Sequence, residues 1–159
     1  MRTQSISLIL LFITSLLFTA CGGFVVDKVN YAHQLETVLT PDQDGEVYDQ
    51  RHGISFNVTP FEEEEWGVET DSEVSEIRLI RDNDGYYFIT SPGFKHVYVM
   101  APDKGKLKLK NKLKVSEEGL KSPAFNYRSS YIELVDLAER KVQNLTMNSV
   151  KETAKEDRI

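Results

Sequence analysis

Apolar and polar residues alternate along most of the chain after residue 46, which is the pattern of β-strands with one buried face. Proline, glycine, asparagine or aspartate bound these segments, as in the turn at residues 82–85. We therefore predict a mainly β fold, a small antiparallel sandwich or partial barrel of about seven or eight short strands. The clearest predicted strands span residues 54–58, 74–80, 86–90, 95–101, 106–115, 131–137 and 141–146.

Two segments depart from this pattern. Residues 28–39 carry apolar side chains at the spacing of one helical face and are followed by Pro41, so we predict an N-terminal helix. The alternation within residues 31–39 fits a strand almost as well. Residues 147–159 are polar and charged, and we predict a frayed or helical tail.

The first 20 residues have the layout of a secretion signal. Arg2 gives a positive start, and an apolar-rich stretch follows at residues 6–18. That stretch is too short for a membrane-spanning helix, which needs about 20 apolar residues. We predict that residues 1–20 are a signal peptide.

Residues 17–21, Leu-Phe-Thr-Ala-Cys, resemble the lipobox of bacterial lipoproteins, with Phe18 where that family usually has leucine. The resemblance implies a diacylglyceryl group on the Cys21 sulfur, cleavage after Ala20 and acylation of the new amino terminus. Gly22 in the next position implies sorting to the outer membrane of a Gram-negative host. The alternative is an ordinary signal peptide cleaved nearby, which would leave a free thiol.

Cys21 is the only cysteine among 159 residues, so the chain has no intramolecular disulfide and depends on packing and backbone hydrogen bonds. We divide the chain into a signal peptide (1–20), a lipidated tether (21–30), a β-rich globular domain (31–146) and a polar tail (147–159). The formal net charge is −6. This acidity and the expected location exclude nucleic acid as a partner.

The residues that carry catalytic or metal chemistry form no recognisable motif. His33, His52 and His96 are far apart in sequence, and neither a nucleophile elbow nor a phosphate loop is present. We predict no cofactor, no metal and no enzymatic activity. A calcium loop starting at Asp82 lacks the closing glutamate, so a turn is favoured there. Hydrolysis by carboxylates such as Glu62 or Asp82 is the least favoured alternative.

The run Glu62, Glu63, Glu64 and Glu65, followed by Trp66, lies in a strongly acidic part of the chain. One interpretation is a solvated loop, because runs of charge usually lie in water. The other is a partner loop, in which an aromatic anchor within an acidic rim binds a basic protein.

Lysines occupy every second position between residues 104 and 114, with leucine between several of them. Strand geometry would place all six ammonium groups on one face and the leucines on the other. This stripe would protect an edge strand, contact an anionic lipid or cell-wall polymer, or pair with the acidic segment. Its members are Lys104, Lys106, Lys108, Lys110, Lys112 and Lys114.

Taken together, these features predict a non-enzymatic structural or interaction module, anchored to the outer membrane by the lipid on Cys21 and facing the periplasm. The alternative is a small acidic inhibitor or immunity-type lipoprotein that blocks a basic envelope enzyme through the Glu62–Trp66 segment. A hydrolase acting on cell-wall or lipid substrates is the third hypothesis.

Overall fold

A computed structural model describes residues 35–68, 73–103 and 106–153. These ranges contain a single α-helix, α1 (Thr59–Trp66), between the third and fourth of eleven strands. The strands are β1 (Thr37–Leu39), β2 (Glu46–Asp49), β3 (Ile54–Asn57), β4 (Ile77–Arg81), β5 (Tyr87–Thr90), β6 (His96–Asp103), β7 (Lys106–Lys114), β8 (Pro123–Arg128), β9 (Tyr131–Asp136), β10 (Lys141–Thr146) and β11 (Ser149–Glu152).

The central sheet has five antiparallel strands in the order β1-β4-β5-β6-β7. All four residues of β5 are buried, as are the five consecutive residues 97–101 of β6. A strand that is apolar at consecutive positions suits a sheet covered on both faces. The central sheet is therefore the middle layer of the domain.

A second sheet, in the order β11-β10-β9-β8, covers one face of the central sheet. In β9, fully buried residues alternate with half-buried ones, as expected when only one face meets a core. The side chains that fill the space between the two sheets include Ile80, Phe88, Val97, Val99, Leu113, Phe125, Ile132, Leu134 and Leu145.

The β2–β3 hairpin and helix α1 cover the opposite face of the central sheet. Val47, Val58 and Phe61 from this layer pack against Leu79 and Tyr98, among others, in the second apolar core. Side chains that are neighbours in β6 thus enter different cores, because a strand directs successive residues to opposite faces. The result is an open three-layer arrangement, with no closed barrel among the described residues.

The predicted fold class is confirmed: the protein is mainly β, with antiparallel sheets and a sandwich at its centre. The strands predicted at residues 74–80, 86–90, 131–137 and 141–146 are confirmed, and they pair as the hairpins β4–β5 and β9–β10. The number of strands was underestimated. Strand β8 was missed because it begins at a proline and carries asparagine and arginine on its exposed positions.

Two predicted elements are wrong where the structure describes them. Thr37–Leu39, within the predicted helix 28–39, is a strand that pairs with β4, so the period-two alternative applies there; residues 28–34 lie outside the described ranges. The predicted tail includes Ser149–Glu152, a strand that pairs with β10. The side chains of Thr146 and Ser149 hydrogen-bond across its turn, 2.7 Å apart. Residues 154–159 are not among the described residues.

Candidate functional site

The acidic segment predicted as a loop forms helix α1. Pro60 suits the first turn because its missing N–H would be unpaired there, and Glu62 suits the positive end of the helix dipole. Asn57 accepts a hydrogen bond from the Thr59 N–H at 2.9 Å, and Phe61 is buried under the helix. The loop prediction is therefore wrong. The segment forms a helix because Phe61 packs into the core and because Pro60 and Glu62 suit the first turn of a helix.

Glu65 fastens this helix to the central sheet. Its side chain is fully buried, and its carboxylate accepts hydrogen bonds from the Lys95 N–H (2.8 Å), the Tyr98 hydroxyl (2.8 Å) and His96 Nδ1 (2.9 Å). Burial, followed by the hydrogen bond to Glu65, raises the pKa of the Tyr98 hydroxyl, so Tyr98 remains a donor. A buried carboxylate with three donors is satisfied within the domain.

Glu64 and Glu62, which are neighbours of Glu65 in helix α1, also have partners inside the protein. Glu64 forms an ion pair with Lys112 of β7, and the hydrogen bond from Lys112 lowers the pKa of the Glu64 carboxyl. Glu62 accepts a hydrogen bond from the Val74 N–H at 2.8 Å. Glu63 is exposed. The acidic segment thus packs against the lysine-rich strand, as the intramolecular alternative predicted, and the contact runs through Lys112.

Trp66, predicted as the aromatic anchor of a partner loop, lies at the end of the same helix. It is half-buried and meets Phe94 edge to face, with ring centroids 5.4 Å apart. Its ring also lies against Gly93, where an added Cβ would come within 2.9 Å of it. The indole therefore has a packing role in the domain. For the partner-loop hypothesis, Glu63 and Glu64 remain as exposed acidic residues, and Glu64 is already paired with Lys112.

The lysines of β7 do not share one face. Opposite Val99 and Met100 of β6 the register shifts, and Lys110 has no partner across the strands. Such a β-bulge reverses the alternation of side chains relative to the neighbouring strand. Leu113, opposite Val97, enters the sandwich core, whereas Leu109, opposite Met100, lies on the side of helix α1. The prediction of one lysine face and one leucine face is therefore wrong.

This shift divides β7 into an inner half (Asn111–Lys114) and an outer half (Lys106–Leu109). In the inner half, Lys112 pairs with Glu64, and Lys114 pairs with Glu117 at 2.6 Å. Along the rest of the strand, no carboxylate oxygen of a described residue lies within 4.0 Å of Lys106, Lys108 or Lys110. Lys104 lies outside the described ranges. Within the described part of the chain, the lysines of β7 without an ion-pair partner are therefore those on the outer half and at the bulge.

A groove of about 600 Å³ opens beside the outer half of β7, between that strand, the β2–β3 hairpin and helix α1. Its charged lining residues are Glu64, Lys106 and Lys112. Apolar side chains make up most of the rest, and Leu109 is 50 % exposed there. Sequence analysis missed this site because its walls come from segments far apart in the chain. They include Phe56, Pro60, Phe61, Tyr98, Met100, Leu107 and Leu109.

A second cavity, of about 480 Å³, lies at the turn between β4 and β5 and includes Asp82 and Arg128. Asp82 accepts a hydrogen bond from the Tyr86 N–H at 2.8 Å, and burial raises the pKa of its carboxyl. The turn predicted at residues 82–85 is confirmed. Glu62 lines neither this cavity nor the groove, so the two carboxylates considered for hydrolysis are not brought together there.

Two of the three histidines have carboxylate partners that sequence analysis did not predict. His52 contacts the buried Asp49 within the β2–β3 turn, and His96 contacts Glu65. The spacing of three residues between Asp49 and His52 is a signal that could have revealed the first contact. His33 lies outside the described ranges. Among the described residues, no group of three or more His, Cys, Asp or Glu side chains is placed to hold a metal ion.

No protein-family model, curated protein or solved structure matches this chain. Cys21 lies outside the described ranges, the first of which begins at residue 35. Within residues 35–68, 73–103 and 106–153, no helix is long and apolar enough to cross a membrane.

Proposed function

We propose that this protein is a lipid-anchored lipoprotein of the bacterial envelope, with a β-rich domain that serves as a non-enzymatic structural or interaction module facing the periplasm. The observation that carries the proposal is the single Cys21, placed directly after an apolar stretch and the small residues Thr19 and Ala20. Two or three acyl chains would hold the protein firmly at a membrane, since each buried CH₂ contributes about 0.8 kcal/mol.

Acyl labelling of cells that express the whole chain tests this anchor. Cys21→Ser should abolish incorporation of labelled palmitate and release the protein from the membrane fraction. Gly23→Ala, two residues away, is the matched control and should keep both the label and the membrane association. Labelling that persists in Cys21→Ser would contradict the anchor.

Membrane sorting is a separate part of the proposal, supported by the resemblance at Gly22. The unaltered protein should separate with the outer membrane on a density gradient. Gly22→Asp should move it to the inner membrane, because the outer-membrane assignment rests on the residue that follows the cysteine. An unchanged distribution would contradict the outer-membrane assignment and leave the anchor itself intact.

We further propose that the outer half of β7 contacts an anionic surface, either lipid or cell-wall polymer. Support comes from Lys106 and Lys108 of the outer half and from Lys110 at the bulge, which have no carboxylate oxygen of a described residue within 4.0 Å. Each lysine near an anionic bilayer contributes about 1 kcal/mol. The same lysines on an edge strand would also discourage pairing with another chain, and both effects can act together.

A further inference from the structure

Three turns meet at one end of the sandwich and enclose the second cavity. They are the β4–β5, β8–β9 and β10–β11 turns, and the cavity between them has a volume of about 480 Å³. This volume falls within the roughly 300–1,000 Å³ that is usual for ligand pockets. Both sheets of the sandwich supply these turns, so the cavity has the support that binding loops usually receive from a rigid scaffold.

Hydrogen bonds hold two of these turns in place. Within the β4–β5 turn, Asp82 accepts a hydrogen bond from the Tyr86 N–H at 2.8 Å. The side-chain amide of Asn83 donates to the Ser129 carbonyl at 3.4 Å, which joins this turn to the β8–β9 turn. Because contacts within the protein fix the shape of the cavity, little conformational freedom remains to be lost when a ligand binds.

The wall of the cavity presents hydrogen-bond acceptors and donors side by side. Carboxylates only accept, a guanidinium only donates, and hydroxyl and amide side chains do both. Each hydroxyl group of a sugar also donates and accepts, so a sugar matches this mixture. The polar side chains of the wall belong to Asp82, Asn83, Asp84, Arg128, Ser129, Ser130, Thr146 and Asn148.

Other classes of ligand match the wall less well. A hydrocarbon chain would leave its polar groups without partners. An anion would be repelled by Asp84, and Arg128 is already paired with Glu133 at 2.8 Å. A cation would have the exposed Asp84 alone, because Asp82 accepts hydrogen bonds from N–H groups of its own turn, and one exposed ion pair contributes little.

Two half-buried side chains give the cavity an apolar surface. Tyr127 and Met147 line it, and both pack against the sandwich core. In a glucose-type pyranose the hydroxyl groups lie at the edge of the ring, and its faces carry C–H groups. Such a face packs on an aromatic ring while the edge reaches polar groups around it.

From these observations we infer that the cavity at the three turns binds a neutral saccharide, with a pyranose face against Tyr127 and hydroxyl groups at Asp84 and Asn148. The inference rests on the proposed role as an interaction module, and it names a glycan as the partner. It uses neither Cys21 nor the lysines of β7, so failure at this cavity leaves the anchor and the anionic contact intact.

An NMR titration followed by amide chemical shifts tests the inference. The protein is the chain from residue 21 onward with Cys21→Ser, so that it carries no acyl groups. The probes are tri-N-acetylchitotriose and cellotriose, which differ only at the 2-position of each ring. At least one trimer should bind saturably and shift the amides of Asn83, Ser130 and Asn148. Absence of saturable shifts with both trimers, or shifts confined to other parts of the chain, would overturn the inference.

Two substitutions test the contacts with the sugar. Asn148→Ala should weaken binding about three- to tenfold, as for the loss of one hydrogen bond. Asn126→Ala is the control, since Asn126 is also an exposed asparagine of the second sheet but does not line the cavity, and it should change nothing. Tyr127→Leu keeps an apolar side chain without the ring and should weaken binding about fivefold. Unchanged affinity in both Asn148→Ala and Tyr127→Leu, each folded by circular dichroism, would overturn the site.

A charged analogue separates a neutral sugar from a cation as the ligand. The glucosamine trimer carries an ammonium group where tri-N-acetylchitotriose carries an acetamide. At low salt it should bind at these amides no more tightly than the better neutral trimer. Tighter binding that falls with added salt and is lost in Asp84→Asn would overturn the neutral saccharide as the ligand.

Discussion

The two halves of strand β7 have similar sequences and different surroundings. In the inner half, Leu113 is 5 % exposed and Lys112 is paired with Glu64 of helix α1. In the outer half, Leu109 is 50 % exposed, and neither Lys106 nor Lys108 has a carboxylate oxygen of a described residue within 4.0 Å. A repeating sequence therefore does not imply a repeating environment.

The difference arises from one extra residue. Lys110 has no partner in β6, so the side chains on its two sides follow different registers. The inner leucine points into the sandwich core, and the outer leucines point toward the groove. Asn111 fixes the junction, because its side-chain amide donates to the Met147 carbonyl at 3.0 Å, beside β11. The bulge separates a structural half from an exposed half.

Deleting one lysine from β7 should have the largest effect on stability at Lys114 and little effect at Lys110, where the register shifts. Without Lys110, β7 would pair regularly with β6 and keep both leucine faces, so the protein should remain close to its original stability. Without Lys114, Val115 would move out of the core, where it is now 3 % exposed. That deletion should cost about 3 kcal/mol of unfolding free energy, measured by urea denaturation.

Both deletions remove one exposed lysine from the same strand, so charge and length are matched. Equal destabilisation by the two deletions would contradict the register shift at Lys110. A larger loss for the Lys110 deletion would contradict it as well.

Removing the buried carboxylate that holds helix α1 should have the next largest effect. Glu65→Ala leaves the Lys95 N–H and the Tyr98 hydroxyl without their acceptor and should cost about 2 kcal/mol of unfolding free energy. Glu63→Ala, on the same helix but exposed, should change stability by less than about 0.5 kcal/mol. Similar losses for the two variants would show that Glu65 does not hold the helix to the sheet.

The hydrogen bond from Tyr98 to Glu65 should stabilise the fold less at alkaline pH. This effect on the unfolding free energy should be smaller than that of Glu65→Ala. The pKa of the Tyr98 hydroxyl is raised in the folded protein. In the unfolded chain the same hydroxyl has the ordinary tyrosine pKa of about 10. The stability from this hydroxyl is therefore present below about pH 10 and is lost as the pH rises further.

The test compares the unaltered protein with Tyr98→Phe by urea denaturation between pH 8 and pH 11. At pH 8 the unaltered protein should be more stable by about 1 kcal/mol, the usual net value of one hydrogen bond. The difference should disappear by about pH 11, because ionisation of the unfolded tyrosine contributes about 1.4 kcal/mol per pH unit. A difference that stays constant across this range would contradict the raised pKa.

Sequence analysis predicted much of the fold and little of the groove. Alternation at residues 141–146 and the turn at 82–85 are local features, so both were predicted from neighbouring residues. Helix α1 was missed because its four glutamates indicate solvent, whereas its stability depends on Phe61 and on contacts with distant β6. Glu65 gave no local sign of burial, since its three donors lie about thirty residues away.

The bulge left one trace in the sequence. Asn111 interrupts the leucine series of β7 at the point where the register changes. Alone, an asparagine among lysines indicates only another exposed residue. Its meaning depends on Met147, which lies in the turn after β10, and that proximity arises from tertiary structure.

Binding of the nonacylated Cys21→Ser chain to phosphatidylglycerol-containing vesicles at low salt tests most directly whether the outer half of β7 meets an anionic surface. The variant Lys106→Gln/Lys108→Gln removes two charges from the outer half, and Lys112→Gln/Lys114→Gln removes two from the inner half. The outer pair should weaken binding by about 2 kcal/mol, roughly thirtyfold. The inner pair should weaken it less than about threefold, because those lysines already have glutamate partners. Equal weakening by the two variants, or no vesicle binding by the unaltered Cys21→Ser chain, would contradict this surface assignment.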